Sequence, residues 1–303
     1  MSNASFPIKE VQLGIHKLSK SYHENHTALN NISLTLTPGI IGLVGSNGAG
    51  KSTLLKLIAQ LERPSSGSIQ LNGQDVAGCP QLIRQRLGLL PQHFAVYENL
   101  TAKQFLQYLA AVKQVTRKHV AQDISELLHA LNLHEFENQK ISTFSGGMRQ
   151  RLGIAQALLG APDILIFDEP TVGLDPHERV AFRSLLKKLG KDKIVLLSSH
   201  IISDLASISD NILVLARGEV CAFNTPENLL QHMEGKVWDI VVKTTEVRQI
   251  ETQFKVCDTQ YFDNKTRLRV IHETPPTKCA SSIAPNLEDA YLFYTAPCPV
   301  EAH

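Results

Sequence analysis

Gly45-Ser46-Asn47-Gly48-Ala49-Gly50-Lys51-Ser52-Thr53 matches the phosphate-loop pattern G-x-x-x-x-G-K-[S/T] at every fixed position, and its reading decides the fold. A polyphosphate needs several backbone N–H groups aimed inward, and glycines let the main chain come that close. Lys51 supplies a mobile positive charge for the outer phosphates, and the Ser52 hydroxyl is placed to ligate Mg²⁺. A helix predicted from Ser52 through Ile58 points the positive end of its dipole at the anion. Ile40-Ile41-Gly42-Leu43-Val44 leads in as a buried strand. A glycine-rich loop can be no more than a tight turn. Strand, loop, lysine, hydroxyl and helix in this order argue for a nucleotide site instead.

Three further apolar runs carry chemistry at their ends. Leu87-Gly88-Leu89-Leu90 is followed by Pro91-Gln92, and Ile194-Val195-Leu196-Leu197 runs into Ser198-Ser199-His200. Ile164-Leu165-Ile166-Phe167, too apolar for a half-exposed strand, ends in Asp168-Glu169. Open parallel sheets bind ligands at the carboxyl ends of their strands, so one edge would gather the phosphate loop, an amide, two carboxylates and an imidazole. That set suits metal-assisted hydrolysis of a nucleoside triphosphate, with Asp168 and Ser52 on Mg²⁺ and Glu169 accepting a proton from water. His200 on its own would read as a surface histidine.

Composition bounds the alternatives. A chain of 303 residues can bury one large core and a smaller one. With 19% charged residues and a formal net charge of +1, no broad nucleic-acid footprint is expected. The five cysteines (Cys79, Cys221, Cys257, Cys279, Cys298) are odd in number and form no C-x-x-C, which points to neither a disulfide framework nor a zinc site and favours a reducing cytosol. No apolar run reaches membrane-spanning length, and the amino end lacks a basic segment followed by an apolar one, so neither a spanning helix nor a secretory signal is expected.

Around the phosphate loop, residues from about Lys9 to Leu36 alternate apolar and polar, the signature of an antiparallel sheet. Tyr22 lies between these runs. It could stack on a base, a contact worth about 1 to 3 kcal/mol that Phe or Trp would serve equally, or pack on the sheet edge. Pro64-Ser65-Ser66-Gly67 reads as a turn, and Ile69, Leu71 and Asn72-Gly73 as a hairpin. From Thr101 to Leu133 apolar residues recur at helical spacing, giving two or three helices. Ser145-Gly146-Gly147 opens another helix, either as a simple cap or as a second anion site. Beyond about Gly235, strands at 237–242, 255–261 and 267–271 surround a helix near Val247, and a terminal helix covers 287–293.

Together these motifs resemble the ATP-binding-cassette ATPases over about Val11 to Leu230, in the family's order and spacing. The resemblance implies an α/β fold: a P-loop NTPase core with an antiparallel β subdomain and a helical signature subdomain, plus a small C-terminal α+β region. The cassette would span 8–233, with its helical insertion at about 95–160, and the accessory region 235–303. By the same resemblance, Gly45 to Thr53 bind ATP, Lys51 acts on its phosphates, and Tyr22 stacks on adenine. Gln92 is similar to the family's metal- and water-sensing glutamine, Asp168 to its metal ligand and Glu169 to its general base. His200 matches the residue that fixes the γ-phosphate and attacking water. Asp175, in Gly173-Leu174-Asp175, corresponds to an inter-subunit contact. Ser145, Gly146 and Gly147 would face the ATP of a second copy, giving an ATP-sandwich dimer. The signature reads Phe144-Ser145-Gly146-Gly147-Met148 where the family commonly has Leu-Ser-Gly-Gly-Gln, so the serine and both glycines remain for phosphate contact without the amide.

The implied partners are ATP, Mg²⁺, a membrane permease and a second copy, with no nucleic acid, at the cytoplasmic face of a membrane. The ending is similar to that of single-cassette ATPases of bacterial exporters; an importer subunit or a soluble, non-transport cassette ATPase are the alternatives. Against the soluble reading, the chain has a single phosphate loop, and only about ninety residues without sustained heptads separate it from the signature.

Overall fold

The structure is a computed structural model, and it describes residues 11–23, 26–92, 94–115, 120–171, 173–199 and 201–295. The alternating amino-terminal runs form β1 (Leu13–His23) and β2 (His26–Leu36), paired antiparallel. The phosphate-loop unit follows as β3 (Gly39–Val44) and α1 (Lys51–Ile58). Next come β4 (Ser66–Leu71), β5 (Gln74–Asp75), α2 (Pro80–Arg86) and β6 (Leu87–Leu90). Ser66 and Gly67, read above as turn residues, instead open β4. Gly67 sits at φ 82°, where an added Cβ would run into the carbonyl oxygens of Lys17 and His16.

The helical insertion contains α3 (Ala102–Val112), α4 (Val120–Ala130) and α5 (Gly146–Leu158). Thr101 starts α3 with a reciprocal capping box to Gln104, and Ser145 caps α5. The chain then returns through β7 (Ile164–Asp168), α6 (Pro176–Leu189), β8 (Ile194–Ser198) and α7 (Ile202–Ala206). An apolar run beyond those named above becomes β9 (Asn211–Ala216), which turns into β10 (Glu219–Asn224) and α8 (Pro226–Gln231).

Strand order in the central sheet is β10-β9-β3-β8-β7-β6, parallel except for β10 on one edge. Alternation along the strands explains why their sequences are apolar throughout. Ile40, Val44, Leu165, Phe167, Val195 and Leu197 join the core beneath the helical insertion. Ile41, Leu43, Ile164, Ile166, Ile194 and Leu196 join a second core against α1 and the antiparallel sheet β2-β1-β4-β5. With both faces covered, each fully buried Leu, Ile or Phe contributes about 1.5 to 3 kcal/mol. Register sets the functional edge: Leu43 pairs with Ser198, and Ser198 with Asp168. The carboxyl ends of β3, β8 and β7 are therefore level.

Past Gly235 the chain forms β11 (Val237–Lys243), α9 (Val247–Gln253), β12 (Lys255–Phe262), β13 (Lys265–Ile271), β14 (Ser281–Ser282) and α10 (Leu287–Thr295). Its antiparallel sheet, ordered β12-β13-β11-β14, has its own small core of Ile240, Val247, Leu268 and Val270. Leu287 and Ala290 of α10 join the main core instead, and α10 packs on α7, α8 and β9. A bidentate pair fixes this helix: Arg269 donates from Nε and Nη2 to Asp289 Oδ1 and Oδ2 at 2.8 and 2.6 Å, and Asp289 is buried. Lys255 Nζ donates to the Leu292 carbonyl on the same helix.

Candidate functional site

The phosphate loop follows β3 and is shaped by its glycines. Gly48 and Gly50 adopt φ 81° and 105°, and a Cβ on Gly50 would stand 2.6 Å from the Ala28 carbonyl oxygen. Gly45 is equally confined, with Leu215 O at 2.7 Å and the Ala49 Cβ at 2.9 Å. No side chain caps α1 and its first turn holds no acid, so the leading N–H groups face the loop. Lys51 Nζ folds back to donate to Gly45 O at 2.5 Å and Ser46 O at 3.2 Å. Burial pushes this ammonium below the ordinary lysine pKa, against the negative charges of Glu169 and Asp168, which raise it. Ser52 is exposed one residue further on, and Thr53 half-buried beside it. A glycine cradle, a bare helix start and a half-buried cation fit a polyphosphate.

Two carboxylates stand at the end of β7. Ser198 Oγ, buried at the end of β8, donates to Asp168 Oδ1 at 2.5 Å and accepts from Glu169 N at 3.1 Å. Glu169 N also lies 3.3 Å from Ser198 O. Those bonds hold Glu169 at φ 54°, a left-handed conformation that costs a non-glycine residue about 1 kcal/mol. One hydroxyl thus organises both acids. Among the described residues no group of three or more His, Cys, Asp or Glu is arranged to hold a metal. A single carboxylate and a hydroxyl beside a triphosphate suit Mg²⁺, which keeps water and phosphate ligands.

Gln92, two residues beyond β6, is exposed on the same sheet edge. His200 and Cys298 lie outside the described residues. Tyr22 sits on β1, 41% exposed, with its hydroxyl directed at α1, donating to Glu62 Oε2 at 2.6 Å and lying 3.5 Å from Thr53 Oγ1. The structure thus brings this ring beside the phosphate-loop helix.

Ser145, Gly146 and Gly147 open α5 in the helical insertion. The Ser145 hydroxyl accepts from Met148 N at 3.2 Å, and a Cβ on Gly146 would meet open space. Met148 packs as a partly buried hydrophobe against the main core. Asp175 caps α6 and exchanges backbone-to-carboxylate bonds with Glu178 at 2.8 and 3.2 Å. Two further polar links were invisible in the motif reading. Gln150 Nε2 donates to Pro170 O at 2.9 Å beside the acidic turn, and Arg151 Nε lies 3.1 Å from Glu178 Oε1. Their signal is the i, i+1 polar pair just inside α5, which resembles any helix surface until its neighbours are known.

A phosphate loop and an acidic strand end sharing one edge of a parallel sheet, flanked by an antiparallel sheet and a helical insertion, define a P-loop nucleoside triphosphatase. The ABC transporter family model matches residues 29–172. The chain is 36% identical over 232 residues to the ABC transporter ATP-binding protein YxlF of Bacillus subtilis (strain 168), covering 76% of this chain and 77% of that one. It is 34% identical over 226 residues to the ABC transporter ATP-binding protein NatA of the same organism, covering 74% and 92%. It is 33% identical over 235 residues to the linearmycin resistance ATP-binding protein LnrL, also from that organism, covering 77% and 74%. Among solved structures, a dimeric post-hydrolysis state of the ATP-binding cassette MJ0796, bound to ADP and Pi, superposes with a TM-score of 0.64 and 27% identity, covering 70% of this chain and 98% of that one. The chain belongs to the ATP-binding subunits of ABC transporters and is an ATPase of that family. No helix among its described residues is long and apolar enough to cross a membrane.

Proposed function

We propose that this chain hydrolyses ATP, with Mg²⁺, as a two-fold dimer at the cytoplasmic face of a membrane, and so drives export through a separate permease. The observation that carries the dimer is the pair of helix starts. α1 and α5 each begin with glycines and a hydroxyl residue, one at the end of β3 and the other in the helical insertion. A triphosphate on the first leaves the second to serve another copy, and a two-fold axis makes the exchange reciprocal. The dimeric MJ0796 cassette supports this reading. Support for export comes from the resistance role in the name of LnrL.

In this reading Gly45 to Thr53 cradle the phosphates, Lys51 pairs with the outer ones, and Tyr22 stacks on the base. Asp168 and Ser52 hold Mg²⁺, which when bound neutralises phosphate charge. Glu169, oriented by its fixed backbone, accepts the proton of the attacking water; Gln92 and His200 orient that water. Ser145, Gly146 and Gly147 close over the partner copy's phosphates, and Asp175 meets the partner. A mixing experiment tests the arrangement. Lys51→Ala and Ser145→Arg should each abolish hydrolysis, whereas a mixture forms one site with intact Lys51 and intact Ser145. Recovery of phosphate release on mixing supports the shared site; a mixture that stays dead, with and without the membrane partner, overturns it.

A further inference from the structure

Tyr22 is held by more than its place on the sheet. Its phenol donates to Glu62 Oε2 at 2.6 Å, the length of a charge-assisted bond. Glu62 lies just beyond the end of α1 and is braced by two cations, with Lys20 Nζ at 3.6 Å from Oε2 and Lys56 Nζ at 3.5 Å from Oε1. Lys20 also sits 5.1 Å from the Tyr22 ring centroid and donates to Arg63 O at 2.8 Å. The phenol's hydrogen bond, the largest effect, holds the Glu62 carboxyl below its ordinary value; burial opposes it, and Lys56 and Lys20 add to it. Through Thr53 Oγ1, 3.5 Å from the phenol oxygen, the same ring is tied to the first turn of the phosphate-loop helix.

We propose that Glu62 is a positioning residue for nucleotide recognition: by accepting the Tyr22 hydroxyl it fixes the plane of the ring relative to α1, so that a base is stacked at a set distance from the phosphates. The inference rests on Tyr22 being the base platform. A phenol is planar, and a freely turning ring would present a productive face for only part of the time. The hydroxyl oxygen lies on the ring's rotation axis, so the anchor fixes where the ring sits. Because a phenol O–H prefers the ring plane, it also favours one orientation before the ligand arrives, which strengthens binding without any new contact. Stacking alone makes Tyr22→Phe equivalent to the native residue. An anchored hydroxyl makes it a loss.

The test measures binding of AMP-PNP and of inorganic tripolyphosphate, which has phosphates but no base, by calorimetry on folded variants checked by circular dichroism. Glu62→Ala should weaken AMP-PNP about tenfold and leave tripolyphosphate within about twofold. Glu62→Gln, whose amide oxygen still accepts, should stay within about twofold of wild type. Tyr22→Phe should match Glu62→Ala, and the double variant should be no weaker than either single one. Wild-type AMP-PNP affinity in Glu62→Ala, an equal loss for tripolyphosphate, or multiplying losses in the double variant would each overturn the proposal. Tyr22→Ala separates the two layers. If it binds AMP-PNP normally, the base-platform reading has failed; if it weakens AMP-PNP while Glu62→Ala does not, only the role of Glu62 has.

Discussion

Replacing Ser198 with alanine removes one oxygen and should disturb both carboxylates at the end of β7 at once. The hydroxyl is buried, donates to Asp168 at 2.5 Å and accepts from Glu169 N at 3.1 Å. A hydrogen bond to a carboxylate contributes about 1.5 to 3 kcal/mol. The second bond costs less to lose, because Glu169 N keeps Ser198 O at 3.3 Å and is not orphaned. Ser198→Ala should therefore lower stability by about 2 kcal/mol, read as a shifted urea midpoint with unchanged slope. If the same energy holds Asp168 and Glu169 in their reactive positions, kcat should fall about tenfold to a hundredfold, at about 1.4 kcal/mol per factor of ten. Phosphate release at saturating ATP and Mg²⁺ measures this directly. Ser198→Thr, which keeps the hydroxyl and adds one buried methyl, should recover much of the rate at some cost in stability. A folded Ser198→Ala protein that turns over at the wild-type rate would refute the idea that this hydroxyl aligns the acids.

Three further outcomes are expected. Glu169→Gln should retain ATP binding while hydrolysis drops by about 10² to 10⁴-fold, the worth of a positioned general base; near-normal phosphate release would place the base elsewhere. Burial, reinforced by Asp289, pushes the Cys257 thiol up to about 12, so at about pH 9 it should alkylate far more slowly than the exposed Cys79 and Cys279 in site-resolved mass spectrometry. The sign for stability follows: the contribution of Cys257 is fully present below about pH 9 and declines as the pH rises toward 12, because only the unfolded thiol ionises in that window. Asp289→Asn breaks the bidentate pair between the buried Asp289 and the half-buried Arg269 and should cost about 3 kcal/mol, detected as faster proteolysis at α10.

Which residues share the carboxyl edge of the sheet was largely legible, because strands that run parallel place their carboxyl ends on one side. Four apolar runs, followed by the phosphate loop, Pro91-Gln92, Asp168 and Ser198, imply a sheet covered on both faces, and the common strand direction puts Gly45, Gln92 and Asp168 on one side. What stayed hidden depends on neighbours. Ser198 is one serine of a Ser-Ser pair until the register sets it opposite Asp168. Glu62 is one charge after a helix until β1 lays Tyr22 across it. β9 has as apolar a sequence as the strands that were read, but no chemistry follows it, so motif reasoning passed over it. The turn assigned to Ser66 and Gly67 failed because glycine's conformational freedom is used there for close passage beside β1, inside a strand.

The same dependence on neighbours bears on how nucleotide could move the helical insertion. α5 carries the second glycine-rich helix start, and it is tied at three points to the elements that bear the other site residues. Gln156 Nε2 donates to Leu89 O at 2.7 Å, on the strand that leads to Gln92. Gln150 Nε2 reaches Pro170 O, next to Glu169. Arg151 pairs with Glu178, the residue that completes the cap around Asp175, and its Nη1 also donates to Leu131 O and Asn132 O at the end of α4, each at 3.0 Å. Gly147 lies against that cap, for a Cβ there would stand 2.9 Å from Glu178 Oε2. A helix held in this way does not slide alone against a close-packed core. A shift at Gln92, at the acidic turn or at Asp175 would carry the start of α5 with it. In the proposed dimer, these polar links would couple the start of α5, which carries Ser145, Gly146 and Gly147, to the edge that holds Gln92 and Glu169.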